Sequence, residues 1–271
     1  MKPSLIFTLG ASLCAASASY AGGACEVKSG PATAALVELY TSEGCSSCPP
    51  ADSQLSNLRR QLDPNAVMVP LALHVSYWDR IGWKDVFAQK IFDARQSALL
   101  AKRRNKVAYT PQFFVNGDEL RDWSAVLPAE IRRINAQPAP LTISLKSTPA
   151  RRAPIAAAGA TLLLEAEVTA ADPRTAGALY LALSESGLVS HVLRGENGGA
   201  TLRHDDTVRL WLGPFPLAQG KVRVRQDVSL PAAWRSEHVQ AVALVQSADD
   251  ARILQAVSTA QCQAATSARS L

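Results

Sequence analysis

The hydrophobic pattern of the first half of the chain changes between two periods. Nearly continuous apolar runs, such as the one at 35–41, predict buried strands of the kind found in parallel sheets. Between these runs, apolar residues recur every three or four positions, as at Leu55, Leu58 and Leu62, which predicts amphipathic helices. Asn116–Gly117 between extended segments predicts a β-hairpin. The predicted order is strand 35–41, a helix through 55–62, strand 67–75, helix 85–104, a strand and hairpin over 107–121, and helix 127–136.

The period changes to two after Gln137-Pro138-Ala139-Pro140, which we interpret as a domain boundary. Turn residues separate the later apolar segments, and no helical stripe is present among them. Short strands of this kind without helices indicate an all-β sandwich that resembles an immunoglobulin-like domain. The predicted strands are 141–145, 160–169, 179–183, 208–212, 222–228, 239–245 and 253–257.

The N-terminus has the pattern of a secretory signal peptide. Lys2 precedes an apolar run from Leu5 to Cys14, and small residues follow it, so we assign residues 1–21 to a signal peptide. The apolar run is too short to span a bilayer, and no transmembrane segment is expected after cleavage. We therefore predict a secreted or periplasmic protein, with a first domain over 22–137, a second over 138–262 and a disordered tail at 263–271.

The net charge is mildly basic. The chain has 28 Lys plus Arg against 23 Asp plus Glu, and loss of Lys2 with the signal peptide leaves 27 minus 23, or +4. The basic clusters are scattered among acidic residues and predicted helix ends, where the helix dipole favours cations, so no nucleic-acid partner is expected.

Four cysteines remain after removal of the signal peptide, an even number in an oxidising compartment. Cys25 is close to the mature N-terminus, and Cys262 precedes the tail. We predict that these two form a structural disulfide that ties the ends of the chain together. Any other pairing would separate Cys45 from Cys48, which have only two residues between them.

The Cys45-Ser46-Ser47-Cys48 segment lies between a predicted strand and a predicted helix. Pro49 suits the first turn of that helix, where the proline nitrogen needs no partner. Unpaired backbone N–H groups and the helix dipole near Cys45 favour a thiolate, which is the reactive form in disulfide exchange.

The element order together with Thr110–Pro111 resembles the thioredoxin fold, in which the Thr-Pro bond is cis and faces the thiol pair. The segment 38–52, with 74–83 and 109–112, more closely resembles a secreted thioredoxin-like family known as domain of unknown function 1223. The resemblance implies an α/β thioredoxin-like domain followed by the all-β, immunoglobulin-like sandwich domain. Pro111 then has the position of the cis proline.

Two positions depart from the patterns of these families. Thioredoxins have Gly-Pro between the cysteines, whereas this chain has Ser46-Ser47, so their reduction potential does not carry over. The family of unknown function usually has Asp after the His-Val pair, where this chain has Ser76.

The resulting functional hypothesis is thiol-disulfide exchange on a protein or small-molecule substrate, with a redox partner protein and no cofactor. The Cys45 thiolate attacks the substrate disulfide, and Cys48 resolves the mixed disulfide. Pro111 would offer a backbone edge to the substrate. Thr110, Tyr109 and Trp78 are the predicted substrate-binding residues.

Two alternatives compete with exchange chemistry. The two thiols and His74 would suit Cu(I), although zinc would need four ligands and we assign no metal site. In the other alternative, Cys45 and Cys48 form a permanent disulfide in a binding module that is not an enzyme. His191, His204 and His238 are interpreted as surface or packing residues, and Asn197 to Arg209 as an exposed hairpin.

Overall fold

The computed structural model describes residues 24–102, 107–150 and 160–262. Its helices are α1 (Pro49–Asn57), α2 (Lys90–Lys102) and α3 (Trp123–Asn135), with short 3-10 turns at Leu58–Gln61, Asp79–Ile81 and Ser236–His238. Its strands are β1 (Cys25–Lys28), β2 (Ala35–Thr41), β3 (Met68–His74), β4 (Gln112–Val115), β5 (Asp118–Leu120), β6 (Leu141–Ala150), β7 (Thr161–Ala170), β8 (Gly177–Glu185), β9 (Leu188–His191), β10 (Thr201–His204), β11 (Thr207–Pro216), β12 (Lys221–Ser229), β13 (Val239–Ser247) and β14 (Ile253–Ser258).

One eight-stranded sheet runs through both halves of the chain, in the order β14-β13-β8-β11-β3-β2-β4-β5. β2 and β3 are parallel, and β4 and β5 add antiparallel strands beside β2. The two halves join where β11 runs parallel to β3, with Thr207 opposite Ala72. The amide of Ala72 donates to the carbonyl of Asp206 at 2.9 Å at this junction.

The predicted fold class, an α/β thioredoxin-like domain followed by an immunoglobulin-like sandwich, is wrong. Of the described residues, 44% lie in strands and 21% in helices, and the N-terminal part is itself rich in strands. Four strands expected in a separate sandwich, β8, β11, β13 and β14, instead extend the sheet that contains β2 and β3. The reason is that β11 pairs with the edge of β3, so the strands of the second half continue the first sheet and do not form a separate domain.

A second sheet of four antiparallel strands, β1-β6-β7-β12, packs on β8, β13 and β14. Alternate residues of β7 are buried, as the period of two predicts for a sheet with one covered face. The core between the sheets includes Ile143, Leu164, Leu181 and Ala243.

The helices cover both faces of β2, β3 and β4. α1 and α3 bury Leu55 and Ile131 against one face. α2 buries Phe92 and Leu99 against the other face, in a core that also contains Leu244 of β13. This shared core fixes the second half of the chain against the strands that lead to the cysteines.

Pro70 is tolerated inside β3 because its nitrogen faces an unpaired edge. Neighbouring residues of a strand point their amides to opposite sides, and the amide of Ala72 points toward β11. Pro70, two residues earlier, faces the same side, and β11 pairs with β3 only at Ala72. The missing donor therefore removes no ladder hydrogen bond.

The Asn116–Gly117 turn joins β4 and β5 as the sequence predicts, with φ values of 48° and 88°. A Cβ atom on Gly117 would lie 2.5 Å from the carbonyl oxygen of Ala251, so no larger residue fits without movement. The turn thus packs directly against the segment before β14.

Cys25 and Cys262 form a disulfide with a Cα–Cα distance of 6.1 Å across 237 residues of sequence. The sequence predicts this pairing, and the disulfide confirms it. Cys25 begins β1, which pairs with β6, so the bond fixes the segment that follows β14 to the edge of the four-stranded sheet.

Several predictions concern the chain ends and the boundary. The signal peptide and the tail lie outside the described residues. The boundary between residues 137 and 138 stays a prediction about independent folding, although one sheet contains strands from both sides of it. Within the described ranges, every helix is too short or too polar to cross a membrane.

Candidate functional site

The cysteine pair lies in consecutive turns between β2 and α1. The amide of Gly44 donates to Ser42 Oγ at 3.1 Å, and the amide of Cys45 donates to the carbonyl of Ser42 at 3.2 Å. Cys48 is the N-cap residue of α1, and its carbonyl accepts the amide of Asp52 at 3.1 Å. Pro49 is the first helical residue, where its lack of an N–H removes no helix bond.

Cys45 and Cys48 are joined in a disulfide with a Cα–Cα distance of 5.4 Å. Both residues are completely buried, whereas Ser46 and Ser47 between them are exposed. Ser47 Oγ lies 3.4 Å from Cys45 Sγ. Only the serine dipeptide of the motif therefore reaches solvent.

Thr110 and Pro111 lie at the same end of the sheet as the cysteines, and the bond between them is cis. β4 begins directly after Pro111 and pairs with β2 so that Gln112 is opposite Tyr40. Continuing this register places Pro111 opposite Thr41, the residue at which β2 ends and the cysteine turns begin. The hydroxyl of Thr110 is buried without a hydrogen-bond partner among the described residues.

The other two predicted substrate-binding residues have different surroundings. Trp78 lies against the cysteine turn, since a Cβ atom on Gly44 would be 3.4 Å from Trp78 Cβ. The hydroxyl of Tyr109 donates to Glu119 Oε1 at 2.7 Å, and burial and this carboxylate raise the pKa of Tyr109 to about 12. Trp78 is thus beside the thiol pair, while Tyr109 belongs to a network around β5.

A buried polar cluster surrounds Glu43, two residues before Cys45. The indole Nε1 of Trp83 donates to Glu43 Oε2 at 2.7 Å, and His204 Nε2 lies 3.2 Å from Glu43 Oε1. The amide of Glu43 donates to Asp85 Oδ2 at 2.9 Å. A completely buried carboxylate requires such partners, because water no longer solvates it.

His74 and Asp85 form a buried ion pair in the same cluster, with His74 Nδ1 at 2.6 Å from Asp85 Oδ2. Burial lowers the pKa of His74, but the charge and hydrogen bond of Asp85 raise it above its usual value. Burial raises the pKa of Asp85, and the charge of His74 and several hydrogen bonds bring it below its usual value. Both pKa shifts favour the charged forms, so His74 and Asp85 form a charged pair.

Asp52 lies in the first turn of α1, four residues after Cys48, and is close to the same histidines. Burial raises the pKa of Asp52, while the charges of His74 and His204 oppose this rise. The rings of His74 and His204 have centroids 5.0 Å apart. His74 Nε2 and His204 Nδ1 have no hydrogen-bond partner among the described residues.

A loop of the second half of the chain lies on the cysteine turn. β9 and β10 form a separate two-stranded sheet, and the residues between them reach the turn. Asn197 Nδ2 donates to the carbonyls of Glu43 at 2.8 Å and Cys45 at 3.0 Å. Glu196 Oε2 accepts the amide of Ser46 at 2.9 Å, and this bond lowers the pKa of Glu196.

No cluster of three His, Cys, Asp or Glu side chains in the described residues has the arrangement of a metal site. His74, the third Cu(I) ligand considered from the sequence, uses Nδ1 for Asp85. His74 is therefore positioned for the ion pair with Asp85.

Sequence reasoning missed most of the residues that surround the cysteines. Glu43 precedes Cys45 by two residues and Asp52 follows Cys48 by four, so their proximity was visible in the sequence, but the burial of Glu43 and of one Asp52 oxygen was not. His204 is a packing residue, as interpreted, yet it packs in the cluster beside His74. Glu196 and Asn197 come from a hairpin expected to be exposed, and no signal in the sequence linked them to the thiols.

The sequence matches the model of a protein family described as "Protein of unknown function (DUF1223)" over residues 36–246. None of the curated proteins matches the chain.

Two solved structures are similar to the chain over most of its length. A crystal structure of a protein from Agrobacterium tumefaciens is 22% identical, with a TM-score of 0.59, over 85% of this chain and 95% of that one. The structure of HBP35 of Porphyromonas gingivalis is 17% identical, with a TM-score of 0.64, over 84% of this chain and 74% of that one. At these identities the similarity shows a shared fold.

Proposed function

The chain belongs to the DUF1223 family of proteins of unknown function, and we propose that it is a thiol-disulfide oxidoreductase that uses Cys45 and Cys48. The proposal concerns the chemistry of this pair and does not depend on the fold class predicted from the sequence.

The observation that carries the proposal is the set of ionisable side chains buried beside the disulfide. Glu43, His74, Asp85 and His204 have less than one tenth of their surface exposed, and Asp52 beside them is partly exposed with its Oδ1 atom buried. Burying such groups costs free energy of folding, and a disulfide that only cross-links the chain needs none of them. The pKa values of Asp52, His74 and Asp85 are shifted from their usual values. Groups with shifted pKa values gather at sites where protons move, and reduction of a disulfide takes up two protons.

The reaction follows from the chemistry of the two sulfurs. In the reducing direction, the Cys45 thiolate attacks a sulfur of the substrate disulfide, and the leaving sulfur departs as a thiolate that takes up a proton. The Cys48 thiol then loses its proton and attacks Cys45 Sγ, which releases the second substrate thiol and forms the Cys45–Cys48 disulfide. The same steps in reverse oxidise a substrate dithiol.

Asp52 is suited to exchange a proton near Cys48. It lies one helical turn after Cys48, and burial raises the pKa of its carboxyl so that the neutral form is favoured over a wider pH range. We assign Cys45 as the nucleophile and Cys48 as the resolving thiol, with Pro111 at the adjoining end of β4 and with Thr110, Tyr109 and Trp78 as substrate-binding residues.

The substrate class is a protein or small-molecule thiol or disulfide, and we propose a secreted or periplasmic location. The support for the location is the N-terminal pattern of residues 1–21 and the use of cysteines in pairs.

Trapping of the mixed disulfide tests the proposal. A Cys48→Ser variant lacks the resolving thiol, so it should accumulate a covalent adduct through Cys45 when mixed with native, disulfide-bonded insulin or with glutathione disulfide. The matched Cys45→Ser variant should form far less adduct. Equal, negligible adduct formation by both variants would contradict the assignment.

A second function is favoured by one observation, the complete burial of both cysteines. A buried disulfide resists exchange, so the pair could serve as a permanent cross-link in a binding module that is not an enzyme. The equilibrium reduction potential separates these functions, because structural disulfides have potentials below about −300 mV.

A further inference from the structure

The cysteine pair cannot exchange with a substrate while both sulfur atoms are buried. Exchange requires a sulfur atom of one partner to approach a sulfur atom of the other, and Cys45 and Cys48 have no exposed surface. A neighbouring segment has to move before any thiol reaches them.

The loop 193–199 between β9 and β10 makes direct hydrogen bonds with the cysteine turn. Asn197 and Glu196 satisfy the carbonyls of Glu43 and Cys45 and the amide of Ser46. These three backbone groups surround the nucleophilic cysteine. The loop therefore covers the turn through side-chain hydrogen bonds.

The base of the loop is anchored, and most of the rest of the loop is exposed. The amide of Val192 donates to the carbonyl of Ala200 at 3.0 Å, and Val192 is buried, which anchors the base of the loop. Beyond this base, Leu193 is 74% exposed. Gly195 and Gly199 have φ values of +79° and +87°, a conformation that favours glycine on both sides of the two contacting residues.

Trp78, which also lies on the cysteine turn, is held differently. It packs against the apolar core under α2 together with Tyr77. The loop makes polar contacts with the turn and meets Gly82 and Trp83 through Gly195. Moving the loop breaks a few hydrogen bonds, whereas moving Trp78 would open part of the core.

We propose that loop 193–199 is a lid that has to open for the Cys45–Cys48 pair to react, with Glu196 and Asn197 as the residues that hold it closed. The inference rests on the proposed function for its biological meaning. The gating of access to the sulfurs is a physical property that can be measured separately.

The test is the rate at which a phosphine, tris(2-carboxyethyl)phosphine in large excess, reduces each disulfide of the full oxidised chain. The phosphorus attacks one sulfur, the S–S bond breaks, and water converts the adduct to phosphine oxide and two thiols. Because this reaction goes to completion whatever the reduction potential of the pair, its rate reports access. Timed alkylation and peptide mass spectrometry follow the two disulfides separately.

The main variant is Asn197→Asp, which keeps the shape of the side chain but places a carboxylate against two carbonyl oxygens. A second variant, Glu196→Ala with Asn197→Ala, removes all three hydrogen bonds. We expect the Cys45–Cys48 pair to be reduced about tenfold faster in both, as the loss of two or three hydrogen bonds implies. Arg203→Ala, at an exposed position on β10, is the matched control and should react as the wild type does.

The Cys25–Cys262 disulfide is the internal control, and its rate should not change. Equal rates at Cys45–Cys48 in the wild type and in both variants would overturn the lid, as would equal acceleration of the two disulfides, since that result indicates general loosening. A faster rate at Cys45–Cys48 alone, combined with a potential in the structural range, would support the lid and contradict the proposed function.

Discussion

At the scale of single residues, Arg95 of α2 connects the two halves of the chain. Its Nε and Nη2 donate to the two carboxylate oxygens of Glu38 at 2.6 and 2.9 Å, and Nη1 donates to Gln246 at 3.2 Å. The guanidinium also lies 4.4 Å from the ring centroid of Trp211. Because Glu38 is completely buried, its ion pair with Arg95 compensates for the loss of hydration of the carboxylate.

Replacement of Arg95 by Met should lower the free energy of unfolding by about 3–5 kcal/mol, because Glu38 would stay buried without its cation. Urea unfolding followed by circular dichroism measures the change. Arg133→Met is the control, since its pair with Glu130 is on the surface and is expected to contribute less than about 1 kcal/mol. Similar losses in the two variants would show that the burial of Glu38 does not matter.

The ion pair between His74 and Asp85 predicts a pH dependence of stability. The raised pKa of His74 means that its contribution is complete below the unfolded value of 6.5 and is lost as pH rises through the folded value. The lowered pKa of Asp85 means that its contribution is present above 3.8 and is lost as pH falls through the folded value. The pair therefore stabilises the fold most between these limits.

An Asp85→Asn variant should lose this dependence. The difference in unfolding free energy between wild type and variant should be largest near pH 5 to 6 and shrink as His74 loses its proton at higher pH, as linkage requires for about one titrating group. Urea titrations at a series of pH values give this difference. A difference that grows from neutral to alkaline pH would have the wrong sign for a charged His74.

At this scale, the sequence predicted the residues whose chemistry depends on type and spacing. The cysteines could be paired because four cysteines allow three pairings, and only one of these keeps the neighbouring Cys45 and Cys48 together. The burial of Glu43 and His204 could not be predicted, because it depends on which distant elements pack together.

At the scale of elements, most strands were predictable and their partners were not. The predicted strands at 35–41 and 67–75 correspond to β2 and β3, since each is a buried apolar run. The predicted helix at 85–104 is shorter at its start, because Asp85 accepts the amide of Phe87 in a turn before α2. Alternation within β11 does not encode its pairing with β3, which rests on a single parallel position.

The disulfide between Cys25 and Cys262 should stabilise the association of β1 with the rest of the molecule. Replacing both cysteines by Ser should lower the free energy of unfolding by about 2–5 kcal/mol, because the unfolded chain loses a cross-link over a long loop. Thermal and urea unfolding measure the loss. The reactivity of Cys45 and Cys48 should stay as in the wild type, and a variant as stable as the wild type would show that β1 needs no covalent attachment.

At the scale of the whole molecule, the continuous eight-stranded sheet makes the thiol site a product of both halves of the chain. The cysteines and Asp52 come from the β2–α1 region, whereas His204, Glu196 and Asn197 come from the hairpin of β9 and β10. A description of the second half as a separate sandwich would have left these residues away from the site.

The proposed function requires that Cys45 and Cys48 interconvert between dithiol and disulfide. The direct measurement is the equilibrium reduction potential of this pair in the full chain, from alkylation of Cys45 and Cys48 after equilibration in glutathione and dithiothreitol buffers. The proposed function predicts a potential between about −270 and −120 mV, the range of disulfide oxidoreductases. A potential below about −300 mV would contradict it and identify the pair as a structural cross-link.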